Sequence, residues 1–244
     1  EIPKALERAD HLIAVSEFTK CEIIELTGYP ENKISVVYNG VSSEYHPRTE
    51  AELGQTLAKY QLNYRRYFLS LATVEPRKNI DNILDAYQKL PNSIRKHYPL
   101  VIGGAPGWKS QGTHERIQSL SRKGQVRYLG YVPEKDLPIL YAGASAKIFV
   151  PFYEGFGLPA LEAMASGTPV IVSDTSSLPE VAGDVGYRAS PADVAGIAAK
   201  MELSLDRTRD LDRRLEAGVA IGKNLRWQHC VERTARIYQK AFAR

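Results

Sequence analysis

Short apolar blocks alternate with stretches of helical spacing along most of the chain. Residues 11–16 read as a brief buried strand and 17–26 as the helix after it, ended near Gly28 and Pro30. Residues 34–38 form a second apolar run, stopped by Asn39-Gly40. From 42 to 64 the pattern is polar and weak, which suits a connection carrying one helix at about 51–60. A regular rhythm follows. Strands are predicted at 67–73, 100–102, 126–129, 146–150 and 168–172. Helices are predicted at 80–90, 114–122, 136–143, 159–166 and 178–182, with two closing helices at 192–222 and 225–243. This alternation implies an α/β fold, a doubly wound parallel sheet with helices on both faces and right-handed crossovers. In such sheets ligands bind beyond the carboxyl ends of the strands, so functional residues should follow strands.

Composition removes some function classes. Hydrophobic residues make up 43% and charged residues 25% of the 244, enough to bury a core and too balanced for a disordered chain. The net charge of +4 is not the dense basic stripe of a nucleic-acid binder, and no nucleic-acid partner is expected. It suits an anionic small ligand, an anionic membrane surface or ordinary surface charge. Cys21 and Cys230 stand far apart, without metal-ligand or disulfide spacing, which points to a reducing, cytoplasmic compartment. No apolar run approaches the ~18 residues of a membrane span, and no signal peptide is visible. The chain opens at Glu1 in a helix-like stretch without a methionine, and reads as part of something longer.

The richest segment is Pro151-Phe-Tyr-Glu-Gly-Phe-Gly-Leu-Pro-Ala-Leu-Glu162, directly after a predicted strand. Gly155 and Gly157 allow a tight turn and a close backbone approach to a ligand. Pro159 suits the first turn of a helix, and Gly167 is placed to end it. The free N–H groups near Phe156, Gly157 and Leu158 would then favour a phosphate. Glu154 and Glu162 bracket the turn. A carboxylate accepts hydrogen bonds from neighbouring hydroxyls and is repelled by phosphate, so each should face a sugar ring. The competing reading is that both glutamates merely cap the helix or face water. A second segment, Ala72-Thr-Val-Glu-Pro-Arg-Lys-Asn79, follows another strand. Arg77 and Lys78 there supply the positive charge that a diphosphate needs, or else belong to a solvated loop. Asp210-Leu211-Asp212 has the acid spacing of some metal-dependent transferases. It lies among arginines in a helical stretch and reads as a charged helix face, and no metal or other cofactor is expected.

Glu154 and Glu162, separated by seven residues, resemble the acidic pair of the retaining glycosyltransferases of family 4. The stretches 154–159 and 162–170, Glu75-Pro-Arg-Lys-Asn79 and Ser177-Leu-Pro-Glu-Val181 resemble that family too, in the same order. The resemblance runs from Ala9 onward. It implies the GT-B fold, two Rossmann-like domains facing a cleft, of which this chain would hold the C-terminal, donor-binding one. Residues 1–46 would be a remnant of the N-terminal acceptor domain with the interdomain crossing. Residues 47–226 would be the nucleotide-sugar domain, and 227–244 a helix packing back on the missing N-terminal domain.

The resemblance also assigns roles. Lys78, with Arg77 beside it, would contact the donor diphosphate. Glu154 would be the catalytic residue facing the donor sugar. Gly155 and the amides of Phe156, Gly157 and Leu158 would line sugar and phosphate, and Glu162 would bind the ribose. The base would lie near Gly130, Tyr131 and Val132, with Leu137 as an apolar wall; Tyr131 serves a structural role equally well. Relatives often carry Gly-Arg where this chain has Ala72-Thr73, which places more weight on Arg77. The stretches 103–108 and 130–133 look most like mannosyltransferases using GDP-mannose, many of which build bacterial surface polysaccharides; Trp108 can equally be a loop cap. The implied partners are a nucleotide-sugar donor and a saccharide or lipid-linked acceptor, in the cytoplasm or peripherally at the cytoplasmic face of the inner membrane. Two alternatives stand beside transfer: a GT-B nucleotide-sugar epimerase, and a nucleotide-binding module inactive by itself.

Overall fold

The computed structural model describes residues 2–242. Residue 243 of the second closing helix, and the domain ends at 1 and 244, lie outside them. The described strands are β1 (Leu12–Ala14), β2 (Ile34–Val36), β3 (Phe68–Leu71), β4 (Leu100–Gly103), β5 (Val126–Tyr128), β6 (Ala146–Phe149), β7 (Val170–Ser173) and β8 (Tyr187–Ala189). The helices are α1 (Ile2–Arg8), α2 (Glu17–Thr27), α3 (Glu50–Lys59), α4 (Ile80–Lys89), α5 (Asn92–His97), α6 (Gln111–Arg122), α7 (Leu137–Gly143), α8 (Leu158–Ala165), α9 (Leu178–Ala182), α10 (Val194–Leu203), α11 (Arg209–Asn224) and α12 (Trp227–Phe242). None is long and apolar enough to cross a membrane.

The small β1-β2 sheet is parallel and separate from a six-stranded parallel sheet of order β5-β4-β3-β6-β7-β8. The chain enters the large sheet at β3 and lays β4 and β5 outward on one side. It then returns to β6, on the other side of β3, and lays β7 and β8 outward from there. The order therefore reverses between β3 and β6, and in such sheets ligands bind beyond the carboxyl ends of the strands at this point.

The central strands Phe68–Leu71, Leu100–Gly103, Ala146–Phe149 and Val170–Ser173 are buried at every position. Burial on both faces is why they read as continuous apolar runs. Alternate side chains feed two cores. Leu69, Leu71 and Phe149 pack with Leu57 of α3, Tyr141 of α7 and Leu161 of α8. Phe68, Ala146 and Ile148 pack with Ile83 of α4, Ile117 of α6 and Ile197 of α10. The Tyr67 hydroxyl, fully buried, donates to the Leu140 carbonyl at 2.6 Å.

Three features depart from the predicted elements. Residues 92–97 form α5, a short helix without an apolar stripe. Residues 187–189 form edge strand β8, whose exposed Arg188 between buried Tyr187 and Ala189 leaves too short a pattern to read. The helix predicted at 192–222 is two helices, because Thr208 starts α11 by accepting from the Leu211 N–H at 3.3 Å. At the start of α12, the Val41 N–H donates to the Leu225 carbonyl at 2.9 Å and Arg226 to the Ser42 carbonyl at 2.8 Å. Gly40 lies so close that a Cβ there would meet the Trp227 nitrogen at 2.0 Å. The apolar stripe of α12 stays exposed at Trp227, Val231, Tyr238 and Phe242 rather than packing on this chain.

Candidate functional site

The turn after β3 and the turn after β6 meet at the reversal point. Pro76–Lys78 is one 3-10 turn, closed by Asn79 at φ 60°. The buried Asn79 amide donates to the Val150 carbonyl at 2.9 Å and the Pro191 carbonyl at 2.7 Å, fixing this turn to the end of β6. The Phe152 N–H donates to the Arg77 carbonyl at 2.9 Å, and the Arg77 guanidinium returns a bond to the Tyr153 carbonyl, also 2.9 Å. Arg77, Lys78 and Glu154, far apart in sequence, thereby come together. One Glu154 carboxylate oxygen takes Lys78 Nζ at 2.6 Å and the Arg77 guanidinium at 3.2 Å. Lys78 and Glu154 are mostly shielded from water, while Arg77 is more open and also pairs with Glu75 at 2.8 Å.

Glu154 sits within the cation pair of Lys78 and Arg77. Coulomb attraction from two adjacent cations dominates its position. A diphosphate approaching Lys78 and Arg77 meets groups that already share a carboxylate.

The glycine turn divides its work unevenly. Gly157 is the residue before α8, at φ 102° and ψ 44°, a conformation that L side chains rarely adopt. Gly155 is not in that region, and an added Cβ would find only Thr19 at 3.7 Å and Val15 at 4.0 Å. The backbone of the turn demands a glycine at Gly157 and not at Gly155. Pro159 falls in the first turn of α8, and Gly167, at φ 68°, follows its end. The N–H groups of Phe156, Gly157 and Leu158 have no carbonyl partner among the described residues, as at any helix start.

The segment Ser177–Val181 gains a structural meaning. The Ser177 hydroxyl donates to the Glu154 carbonyl at 2.7 Å, and the Ser176 hydroxyl accepts from the Glu154 N–H at 3.2 Å. Leu178 fills the space beneath Gly157. The Glu180 carboxylate accepts from the N–H groups of Glu17 and Phe18, at 2.8 and 3.1 Å, and so caps α2. Ser16, the cap of α2, and Thr19 in its first turn donate to the Gly155 carbonyl at 2.7 and 3.1 Å. The glutamate turn is thus held from both sides.

Glu162, itself half-buried, points into a buried cluster that the sequence reading missed. Burial raises its carboxyl above the usual range, while Tyr141, Lys147 and Tyr45 oppose that rise. Tyr45 and Tyr141 are buried, and burial with the neighbouring Glu162 raises both phenols. Lys147 is fully buried and donates to the Leu71 carbonyl at 2.9 Å. Burial, helped by the charge of Lys78, pushes its ammonium down to about 7, against the pull of Glu162. A lysine inside the apolar run Ala146-Lys-Ile-Phe-Val150 was the available signal.

The base-side residues separate. Tyr131 is 75% exposed and has no packing role, whereas the Val132 side chain is buried next to Gly103. Leu137 opens α7 and packs against the core. Trp108 is exposed, with Lys109 Nζ 4.4 Å from its ring centre. Asp210 is held on the face of α11 by Arg213 at 2.7 Å and Arg214 at 2.6 Å.

Residues 57–218 match the family model described as glycosyl transferases group 1, and residues 2–45 that of glycosyltransferase family 4. The chain belongs to the group 1 glycosyl transferases. A relative of this glycosyl transferase, O-antigen chain mannosyltransferase B of Escherichia coli, is 43% identical over 236 residues, 97% of this chain and 62% of the relative. The chain thus spans about three fifths of that relative's length. A crystal structure of a glycosyltransferase from Rickettsia africae ESF-5 matches with a TM-score of 0.86 at 19% identity, over 99% of this chain and 67% of that one. Anabaena Alr3699/HepE, solved in complex with UDP and glucose, matches with a TM-score of 0.85 at 19% identity, over 97% of this chain and 65% of that one. At such identities the likeness is one of fold, and it bears out the Rossmann-like doubly wound sheet of a GT-B glycosyltransferase.

Proposed function

We propose that this chain is the donor-binding part of a retaining mannosyltransferase, which moves mannose from GDP-mannose to a saccharide or lipid-linked acceptor in bacterial surface polysaccharide synthesis. The observation that carries the reading is the meeting of Arg77, Lys78, Glu154 and the start of α8 at the carboxyl ends of β3 and β6. The printed name of the Escherichia coli relative supports the choice of mannose. Residues 1–46 belong to the acceptor domain and the crossing, 47–226 to the donor domain, and 227–244 to a helix that returns to the acceptor side. The adjacency of Val41 and Leu225 supports these boundaries.

Lys78 and Arg77 hold the diphosphate, with the N–H groups of Phe156, Gly157 and Leu158 at the positive end of α8. Glu162 takes the ribose hydroxyls, and Tyr131, Leu137 and the backbone at Val132 border the base. As the glycosidic bond breaks, negative charge grows on the leaving nucleoside diphosphate and positive charge on the sugar. Both cations stabilise the first change without a metal. Glu154, already bonded to both, sits where it can stabilise the second or orient the sugar. The same three groups exchange an internal ion pair for contacts to substrate.

Calorimetric titration of the chain with GDP, UDP and ADP, with and without a chelator, tests the donor site. Preference for GDP that survives chelation supports the reading. Preference for UDP or ADP overturns the donor, and binding of none overturns the site. In the full-length protein, release of a sugar epimer from donor alone would replace transfer by epimerisation.

A further inference from the structure

We infer that Lys147 is a positioning residue of the donor site, a buried amine bonded to the end of β3 that gains a proton when an anionic donor binds. The inference rests on the donor-site reading above. Lys147 leaves β6 opposite Leu69, its register partner on β3. Its Nζ nevertheless donates to the carbonyl of Leu71, two residues further on, at 2.9 Å. The side chain therefore runs along the sheet toward the carboxyl ends of the strands, and the ammonium lies under the candidate site. It is 5.3 Å from the Tyr141 ring centre and 5.8 Å from that of Phe149. Lys78 Nζ lies 5.2 Å from the same Phe149 ring. One aromatic ring thus neighbours both the cation assigned to the diphosphate and the buried one.

An ammonium has three N–H donors, and a fully buried one with a single carbonyl partner is costly unless charges nearby compensate. The groups facing it come from every element around it. Glu162 of α8 favours its charge, and Lys78 from the turn after β3 disfavours it, while Glu154 from the turn after β6 pairs with Lys78 at 2.6 Å and with Arg77 at 3.2 Å. Tyr141 of α7 and Tyr45 from the connection before α3 face Glu162, and Glu134 bears on Glu162 from before α7. Burial sets Lys147 near neutrality, at about 7. A diphosphate held at Lys78 and Arg77 brings two negative charges where Glu154 alone stood, and this added negative potential draws a proton from solvent onto Nζ. By linkage, donor affinity then falls as pH rises through this range. No atom of Lys147 is required to touch the donor.

The test is calorimetry of the chain with GDP-mannose at pH 7, in buffers of different ionisation enthalpy, with UDP-glucose and ADP-glucose in parallel. A diphosphate diester does not itself titrate near pH 7, so proton exchange reports the protein. Wild type is expected to take up a fraction of a proton on binding. Lys147→Met is expected to lose this uptake, to bind roughly tenfold more weakly at pH 6, and to show a flattened affinity profile from pH 6 to 8, each pKa unit of coupling being a tenfold change. Donor binding by wild type without proton uptake overturns the inference, whether or not the variant folds. Uptake that persists unchanged in Lys147→Met overturns it as well, and in both cases the donor-site reading stands. Failure of wild type to bind any of the three sugars overturns that reading and the inference with it.

Discussion

Replacing Gly157 by alanine should cost far more stability than the same change two residues earlier. At φ 102° and ψ 44°, Gly157 lies outside even the left-handed basin that other residues tolerate. A Cβ in left-handed backbone costs about 1–2 kcal/mol. That Cβ would also stand 2.5 Å from Cδ2 of Leu178, which is fully buried and has no water to swing into. Overpacking of this kind adds about 1–3 kcal/mol. The sum is about 2–5 kcal/mol for Gly157→Ala. For Gly155→Ala, with ordinary φ and the nearest atom 3.7 Å away, the change should stay within about 0.5 kcal/mol. Urea unfolding of wild type and both variants at pH 7 reads the difference, provided the three m-values agree. If Gly157→Ala unfolds at the wild-type midpoint, or Gly155→Ala is the weaker of the two, the account of this turn is refuted.

Glu154→Gln releases Lys78 and Arg77 from a shared carboxylate. Calorimetry should show nucleoside diphosphate binding at least as tight as wild type, while a transfer assay of the full-length protein shows activity lost. Lys78→Ala should weaken nucleoside diphosphate binding while leaving nucleoside binding unchanged; equal loss of both would remove Lys78 from the diphosphate. Tyr67→Phe leaves the buried Leu140 carbonyl without its 2.6 Å partner and should cost about 1–3 kcal/mol in denaturant unfolding. Lys147 gives stability a pH slope. Its native value near 7 lies below the ordinary 10.5, so between the two the unfolded chain binds the proton and the native chain does not. Stability therefore rises with pH across that window, and Lys147→Met should flatten the rise.

Much of the fold was legible because its signals are local. Strands such as Val170–Ser173 are buried on both faces and so are apolar without a break. The start and end of α8 follow from backbone demands on Gly157, Pro159 and Gly167 that any chain must meet. The sequence by itself determined the strand–helix alternation, the two turns that carry charge, and the pair Glu154 and Glu162. Short elements with little apolar surface, α5 and β8, fell below what periodicity can register, though Thr208 offered a readable break before α11. Tertiary structure alone decided which charges meet. Arg77 and Lys78 reach Glu154 across 77 and 76 positions because the sheet order reverses between β3 and β6. Only the structure distinguished Gly155 from Gly157, and only it brought the buried Lys147 nitrogen to the Leu71 carbonyl. Propensity and periodicity act over one or two turns of chain, whereas electrostatics and burial depend on distances that the whole sheet sets.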